Sequence, residues 1–107
     1  MDADVSISES KLREQILADG HDDCFGLYEI IWSLNGEYPD AMHEQRVRAA
    51  RAVIRELLND GRVALYTAVW ASEHYEPMDR EAALRAIASP EAWEDPRGGP
   101  YIAYSAA

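Results

Sequence analysis

The stretch that decides the fold runs from residue 39 to residue 61 and reads PDAMHEQRVRAARAVIRELLNDG. It has the longest clean helical periodicity in the chain. An apolar stripe recurs at three- and four-residue steps, as one face of a helix requires, and consists of Val47, Ala50, Ile54, Leu57 and Leu58. Asp40 is predicted to cap the N-terminus, and Gly61 is predicted to close the C-terminus in a left-handed turn.

The same helix carries a basic flank, which we define as Arg48, Arg51, Arg55 and the following Arg62. A basic flank on a helix is typical of phosphate contact by a recognition helix. The alternative is that these arginines pair with nearby carboxylates, as opposite charges on a helix surface commonly do. The nearest carboxylates belong to Glu44, Glu56 and Asp60. Because the chain as a whole is acidic, the pairing is the favoured interpretation.

Two further helices are predicted before this one. The segment Ser6–Glu9 fits a capping box, and a helix from there is expected to end at Gly20. The second helix is predicted over residues 24–36, with an apolar face of Leu27, Ile30, Ile31 and Leu34. Short connections between the three helices favour a compact cluster.

After Arg62 the periodicity becomes extended, and residues 62–69 are predicted to form a strand. A loop over 71–77, a helix capped by Asp79 and a short helical turn carrying Trp93 follow. Residues 101–105 read as a last strand that pairs antiparallel with 62–69. The predicted fold is therefore α+β, with three N-terminal helices and a two-stranded antiparallel sheet with an inserted helix. All 107 residues are expected to form a single domain, 1–107.

The composition of the chain predicts whether it folds and in which cellular compartment it lies. Apolar residues make up 48% of the chain, enough for one small core. No apolar run approaches the ~18 residues needed to cross a bilayer, and the acidic N-terminus MDADVSISES is unlike a secretory signal. Cys24 is the only cysteine, so an internal disulfide is impossible. We therefore predict a cytoplasmic protein that does not contact membranes, as a monomer or homodimer.

No motif for catalysis is found in the sequence. The histidines, His21, His43 and His74, lack the spacing of a zinc site. Cys24 adjoins Asp22 and Asp23, which oppose thiolate formation, so a structural thiol is favoured. There is also no nucleophile elbow or phosphate-binding loop. We predict that the protein is not an enzyme and binds no metal or cofactor.

From about Cys24 to Tyr104, the order of elements and the apolar spacing resemble a winged helix. The phrases YEPMDREAAL and GPYIAYSA are similar to small bacterial proteins of uncharacterised function. Small acidic proteins without catalytic motifs also resemble, in type, bacterial immunity proteins and antitoxins. The winged-helix resemblance implies, as one alternative, a DNA-binding transcription regulator that uses helix 40–60. Net acidity and the helix inserted at the wing tip make nucleic acid the less favoured partner.

The formal net charge of −10 favours a basic protein as the partner. Trp93 and Trp32 are assigned to the core, while Trp70 and Tyr75 are assigned to the surface beside several acids. Aromatic side chains within an anionic rim are typical of protein interfaces. The predicted partner-binding residues are Trp70, Glu73, His74, Tyr75, Glu76, Asp79 and Asp95. The sequence thus predicts an acidic protein-binding module, with an immunity-type inhibitor of a basic toxin domain as one form of it.

Overall fold

The computed structural model describes residues 6–69 and 74–107, and it confirms the α+β class. The α-helices are α1 (Glu9–Asp22), α2 (Leu27–Glu37), α3 (His43–Asn59) and α4 (Arg80–Ala88). The strands are β1 (Phe25–Gly26), β2 (Val63–Val69), β3 (Tyr75–Pro77) and β4 (Pro100–Ala106). A short 3₁₀ helix, Pro90–Trp93, connects α4 to the turn before β4.

The apolar stripe of α3 is confirmed, since Val47, Ala50, Ile54, Leu57 and Leu58 are all buried. The end of α3 is also as predicted: Gly61 has a φ of 70°. The N–H of Gly61 donates to Leu58 O at 3.1 Å, and the N–H of Arg62 donates to Leu57 O at 2.8 Å. These two bonds satisfy carbonyls that the helix leaves free, in the pattern of a Schellman motif.

The predicted cap at Asp40 is wrong. Residue 40 lies in a turn, where Ala41 N donates to Tyr38 O, and Arg46 donates its guanidinium hydrogens to the carbonyls of Tyr38 and Pro39. This bonding holds the turn out of the helix, so α3 begins three residues later than Asp40. The backbone N–H of Met42 then donates to Gln45 Oε1 at 2.8 Å, which satisfies the residue before the helix.

The predicted two-stranded sheet is wrong, because the sheet has four antiparallel strands in the order β1-β4-β2-β3. The predicted pair itself is confirmed: Leu65 lies opposite Tyr104, and Val69 lies opposite Pro100. The additional strand β3 falls within the stretch predicted to be a loop and pairs with β2. Strand β1 has two residues and replaces the predicted first turn of the second helix. Both strands are too short for sequence periodicity to indicate them.

The two faces of the sheet have different neighbours. Val63 and Leu65 of β2 and Tyr104 of β4 belong to the main core, with the apolar residues of α1, α2 and α3. Successive side chains of a strand point to opposite faces, so the alternate residues Tyr66 and Ala68 lie on the other face. Tyr104 therefore faces the helices, whereas Tyr101, three residues earlier, faces away from them.

α1 does not end at Gly20, as was predicted, but continues to Asp22. Its N-terminal cap is Ser8 and not Ser6, because the Ser8 hydroxyl accepts from Lys11 N at 3.3 Å. Gly20 is buried against β4, and an added Cβ would lie 2.7 Å from Ala106 N. A glycine at this place in the helix serves a close approach of α1 to the last strand and not a turn.

One carbonyl of the inserted segment between β2 and β4 is bonded to both α3 and the 3₁₀ helix. The cap of α4 is as predicted, since Asp79 Oδ1 accepts from Ala82 N at 2.7 Å. The Ile87 carbonyl, in the last turn of α4, accepts from Trp93 Nε1 at 3.0 Å and from Arg51 Nε at 2.7 Å. Trp93 is 1% exposed, which confirms its predicted core position. These bonds join α3, α4 and the 3₁₀ helix at a helix end that lacks internal partners.

We expect Gly20→Ala to destabilise the protein, although alanine favours a helix interior by about 0.5–1 kcal/mol. The added methyl group overlaps the backbone of β4 and has no flexible side chain to displace, and overpacking of this kind costs about 1–3 kcal/mol. Gly36→Ala in α2 is the matched control, because a Cβ there meets nothing within 4 Å. Urea unfolding should show lower stability for Gly20→Ala and unchanged or higher stability for Gly36→Ala. Equal gains for both would contradict the close packing of α1 on β4.

Candidate protein-binding surface

The face of the sheet that points away from the core carries a group of aromatic side chains, which we call the tyrosine face. Its members are Tyr28 from the first turn of α2, Tyr66 of β2, Tyr75 of β3 and Tyr101 of β4. The register explains the clustering, because Ala68 lies directly opposite both Tyr75 and Tyr101. Side chains directly opposite each other in antiparallel strands share one face.

The rings form a continuous row that extends from α2 to β3. The centroids of Tyr28 and Tyr101 are 5.5 Å apart, with edge-to-face geometry. Tyr101 and Tyr75 flank Ala68 from the two neighbouring strands, and the Tyr75 and Tyr66 rings are 6.3 Å apart. At the far end of the row, Ser105 Oγ donates to the Tyr66 hydroxyl at 3.2 Å. Edge-to-face pairs of this kind contribute roughly 0.5–1.5 kcal/mol beyond burial, so the row is a structured surface.

Trp32 extends the row onto α2, with its ring centroid 4.9 Å from that of Tyr28. The assignment of Trp32 to the core is wrong, because its side chain is 52% exposed. The cause is its position on the helix. Ile30, Ile31 and Leu34 form the side of α2 that faces the core, while Trp32 lies one turn after Tyr28, on the side that borders the tyrosine face. Tyr28 in turn lies over Gly26, where any Cβ would overlap its ring. Glycine at position 26 therefore permits the contact between α2 and the sheet.

The residues predicted to bind a partner are only partly assembled. Trp70 and Glu73 lie outside the described residues. His74 and Glu76 are exposed at the edge strand, with His74 Nε2 3.4 Å from Glu76 Oε1, and Tyr75 is half-buried in the tyrosine face. Asp79 has a structural function as the cap of α4.

Asp95 is exposed in the turn before β4, where its Oδ1 accepts from Arg97 N at 2.9 Å. Burial raises the pKa of Tyr28, and the negative charges of Glu29 and Asp95 and the neighbouring Tyr75 raise it further. Tyr75 and Asp95, which are 20 positions apart in the sequence, thus lie around the same tyrosine. Sequence reasoning identified both of them but missed Tyr28, Tyr101 and Trp32. The only available signal was the four-residue step from Tyr28 to Trp32, which is equally compatible with core packing.

The four arginines of the basic flank differ in their exposure and their bonding partners. Arg51 is half-buried and bonded to the Ile87 carbonyl, whereas Arg48, Arg55 and Arg62 are exposed. Within residues 6–69 and 74–107, no ion pair joins the last three to Glu44, Glu56 or Asp60, so the expected pairing is not found there. Glu56 instead pairs with Arg13 of α1, with Arg13 Nη2 2.8 Å from Glu56 Oε1.

Cys24 is half-buried beside Ser105, consistent with a structural thiol. Burial and the adjacent Asp23 raise the pKa of its thiol, which disfavours the reactive thiolate. Across the described part of the chain, no group of three or more His, Cys, Asp or Glu side chains is arranged to hold a metal ion. A membrane-spanning helix is likewise not found among the described helices, none of which is both long and apolar enough.

Comparison of the chain with protein-family models, with curated proteins and with solved structures found no match. The winged-helix and immunity-type resemblances therefore remain predictions that rest on the residues themselves.

The tyrosine face should weaken the protein at alkaline pH. Burial, followed by the neighbouring Tyr75, raises the pKa of Tyr101 to about 12, above its ordinary value of 10.0. The fold thus favours the neutral phenol, so its stabilisation is full below about pH 10 and is lost as the pH rises through about 12. In Tyr101→Phe, the free energy of unfolding should fall less steeply between pH 10 and 12. Parallel pH profiles for the two proteins, measured by urea unfolding, would contradict a raised pKa of the half-buried phenol at this position.

Proposed function

We propose that this protein is a non-catalytic, acidic protein-binding module whose interface is the tyrosine face with Trp32. The observation that carries the proposal is the continuous aromatic row that ends in a half-exposed tryptophan. Tryptophan and tyrosine supply much of the binding energy at protein interfaces, because each buries a large area with few rotatable bonds. An immunity-type inhibitor of a basic toxin domain is the specific form that we favour.

The charge supports a basic protein as the partner. The chain carries 20 acidic and 10 basic residues, a formal net charge of −10. Such a field increases the rate of encounter with a positive surface and opposes association with another acidic one. Around the aromatic row, Glu29 and Asp95 lie near Tyr28. Glu76 is exposed on the edge strand next to Tyr75, with its side chain directed to the opposite face of the sheet. An aromatic centre within an anionic rim is complementary to a basic partner.

The winged-helix resemblance is supported by the connectivity around the core. The order α1-β1-α2-α3-β2-β4, with β4 between β1 and β2, joins three helices to a small antiparallel sheet. On this resemblance we assign the inserted segment, β3, α4 and the 3₁₀ helix, to the position of the wing tip. α4 packs against α3 and accepts a hydrogen bond from Arg51. Less of the α3 surface is therefore accessible than a recognition helix requires.

A DNA-binding regulator is the second candidate, and it is favoured by one observation. The guanidinium groups of Arg48, Arg55 and Arg62 are exposed and have no carboxylate partner among the described residues. Three exposed arginines provide a few phosphate contacts at most, against a surplus of negative charge elsewhere. We therefore rank this function below protein binding and retain the cytoplasm as the proposed location for either.

The first test is affinity capture from the host in which the sequence occurs, with mass spectrometry and with nuclease treatment as a parallel arm. We expect a basic protein to be enriched, and purified partner should bind Trp32→Ala or Tyr75→Ala about 30-fold more weakly, or about 2 kcal/mol. Arg48→Ala together with Arg55→Ala is the matched control, which should leave the affinity unchanged. Loss of affinity in the control, with none in the aromatic variants, would place the interface on α3 instead.

The exposed acids at the edge of the sheet make a separate kinetic prediction. Glu76→Gln should mainly slow association with the basic partner and flatten its salt dependence, because an exposed charge outside the contact area acts on encounter. Glu81→Gln on α4 removes the same charge elsewhere and is the control. Stopped-flow or surface plasmon resonance measurements at two salt concentrations give the association rate constant and its salt dependence. A change confined to the dissociation rate would contradict a role in electrostatic steering.

For the second candidate, fluorescence anisotropy with a labelled DNA duplex is the direct measurement. If α3 contacts phosphates, binding should weaken steeply with salt, and Arg48→Ala should reduce the slope by about one unit. We expect no binding at physiological salt. Salt-dependent binding that Arg48→Ala weakens, and that Trp32→Ala leaves intact, would replace protein binding by DNA binding as the proposed function.

A further inference from the structure

A cleft of about 240 Å³ lies between α1 and α2, on the opposite face of the sheet from the tyrosine face. We call it the α1–α2 cleft. It forms because α1 makes its main contacts with β4 and α3, leaving space beside α2. Its apolar lining includes Ile16, Phe25 and Leu34. This volume is slightly below the usual range for ligand sites, roughly 300–1,000 Å³, so only a small group fits.

Tyr104 lines this cleft, and its side chain is 2% exposed. Among the described residues, no hydrogen bond is formed by its hydroxyl group. The hydroxyl oxygen itself is open to the cleft, so it can accept a hydrogen bond from a bound ligand. Burial raises the pKa of Tyr104, and the nearby charges of Asp19 and Glu29 raise it further. The hydroxyl therefore lies within the electrostatic reach of both carboxylates.

The charges around the cleft are unbalanced. Asp19 accepts from the Gln15 amide at 3.2 Å, and Glu29 accepts from Gly26 N at 2.7 Å. Neither carboxylate has a cationic partner within the described ranges. The single cation of the lining, Lys11, lies 3.9 Å from Glu37, where it bridges α1 and α2. The lining therefore has three carboxylates, of Asp19, Glu29 and Glu37, against one ammonium group, and they lie beside the Tyr104 hydroxyl and an apolar wall.

We propose that the α1–α2 cleft binds a small organic cation, an ammonium or guanidinium group on a short apolar stem. The cationic N–H groups donate to Asp19, Glu29 and the Tyr104 hydroxyl oxygen, and the stem lies against Ile16 and Phe25. Charge-assisted hydrogen bonds to carboxylates are stronger than neutral ones, which gives the site selectivity for a cation. A free amine and the arginine or lysine side chain of a bound protein share this chemistry.

The test is a titration of the full chain with n-butylguanidinium, followed by ¹H–¹⁵N correlation spectra. The matched probe is n-butylurea, which has nearly the same shape but no charge. We expect n-butylguanidinium to bind at least about tenfold more tightly, because only its charge pairs with the carboxylates, and shifts should centre on α1, α2 and β4. Equal binding of the two probes, or shifts confined to other elements, would overturn the proposal.

Single substitutions test which side chains of the cleft bind the probe. Asp19→Asn and Tyr104→Phe should each weaken n-butylguanidinium binding several-fold and leave n-butylurea binding unchanged. Asp60→Asn, outside the cleft, removes the same charge as Asp19→Asn and should have no effect. Thermal unfolding checks that Tyr104→Phe is folded, and Asp19→Asn tests the site independently if it is not. Loss of binding in Asp60→Asn equal to that in Asp19→Asn would mean that net charge and not the cleft attracts the cation.

The source of the cation is settled by competition with a purified basic partner. If the partner inserts a side chain, Asp19→Asn should weaken its binding and n-butylguanidinium should compete with it. If neither occurs, the site takes a free amine. The probe titration needs no partner, so it can succeed where the proposed protein-binding function fails, and the reverse also holds.

Discussion

The pairing of β2 with β4 is the constraint on which the rest of the structure depends. Seven residue pairs join the two strands, from Val63 opposite Ala106 to Val69 opposite Pro100. This pairing brings the last strand into the middle of the sheet, between β1 and β2. It also fixes the pleat of β4, so that Tyr101 belongs to the tyrosine face and Tyr104 to the α1–α2 cleft. A shift of one residue in register would exchange these two faces.

The Ile87 carbonyl has a comparable effect on α3. It accepts from both Trp93 and Arg51, which attaches the inserted segment to the helix that would otherwise be the most open element of the fold. Half of the connection is a buried indole, and the other half is a cation whose charge is directed to a helix C-terminus, where positive charge is favoured. The cost is that one arginine of the basic flank is no longer available to an external partner. A single bonded group thus changes the surface that α3 offers.

The two candidate sites use the acidic surplus in different ways. Near the tyrosine face, Asp95 is exposed, where a carboxylate affects encounter with a partner more than affinity. In the α1–α2 cleft, Asp19 and Glu29 lie beside a buried hydroxyl and an apolar wall, where a charge pair is screened less by salt. We propose that one acidic chain thereby favours basic partners over a large surface and selects a single cationic group within a small cavity.

Local rules determined much of this protein from the sequence alone. The stripe of α3, the turn at Gly61, the cap at Asp79, the buried Trp93 and the pairing of β2 with β4 depend on neighbours in the chain or on the absence of another extended partner. Tertiary structure alone decided the rest. From the sequence, Gly20 is predicted to end a helix, but in the structure it allows β4 to pack closely against α1. Trp32 is predicted to be in the core, but the orientation of α2 about its axis leaves its side chain exposed. The tyrosine face combines residues of α2, β2, β3 and β4, and the cleft combines residues of α1, α2 and β4. Contacts between elements so far apart in the chain produce no periodicity in the sequence.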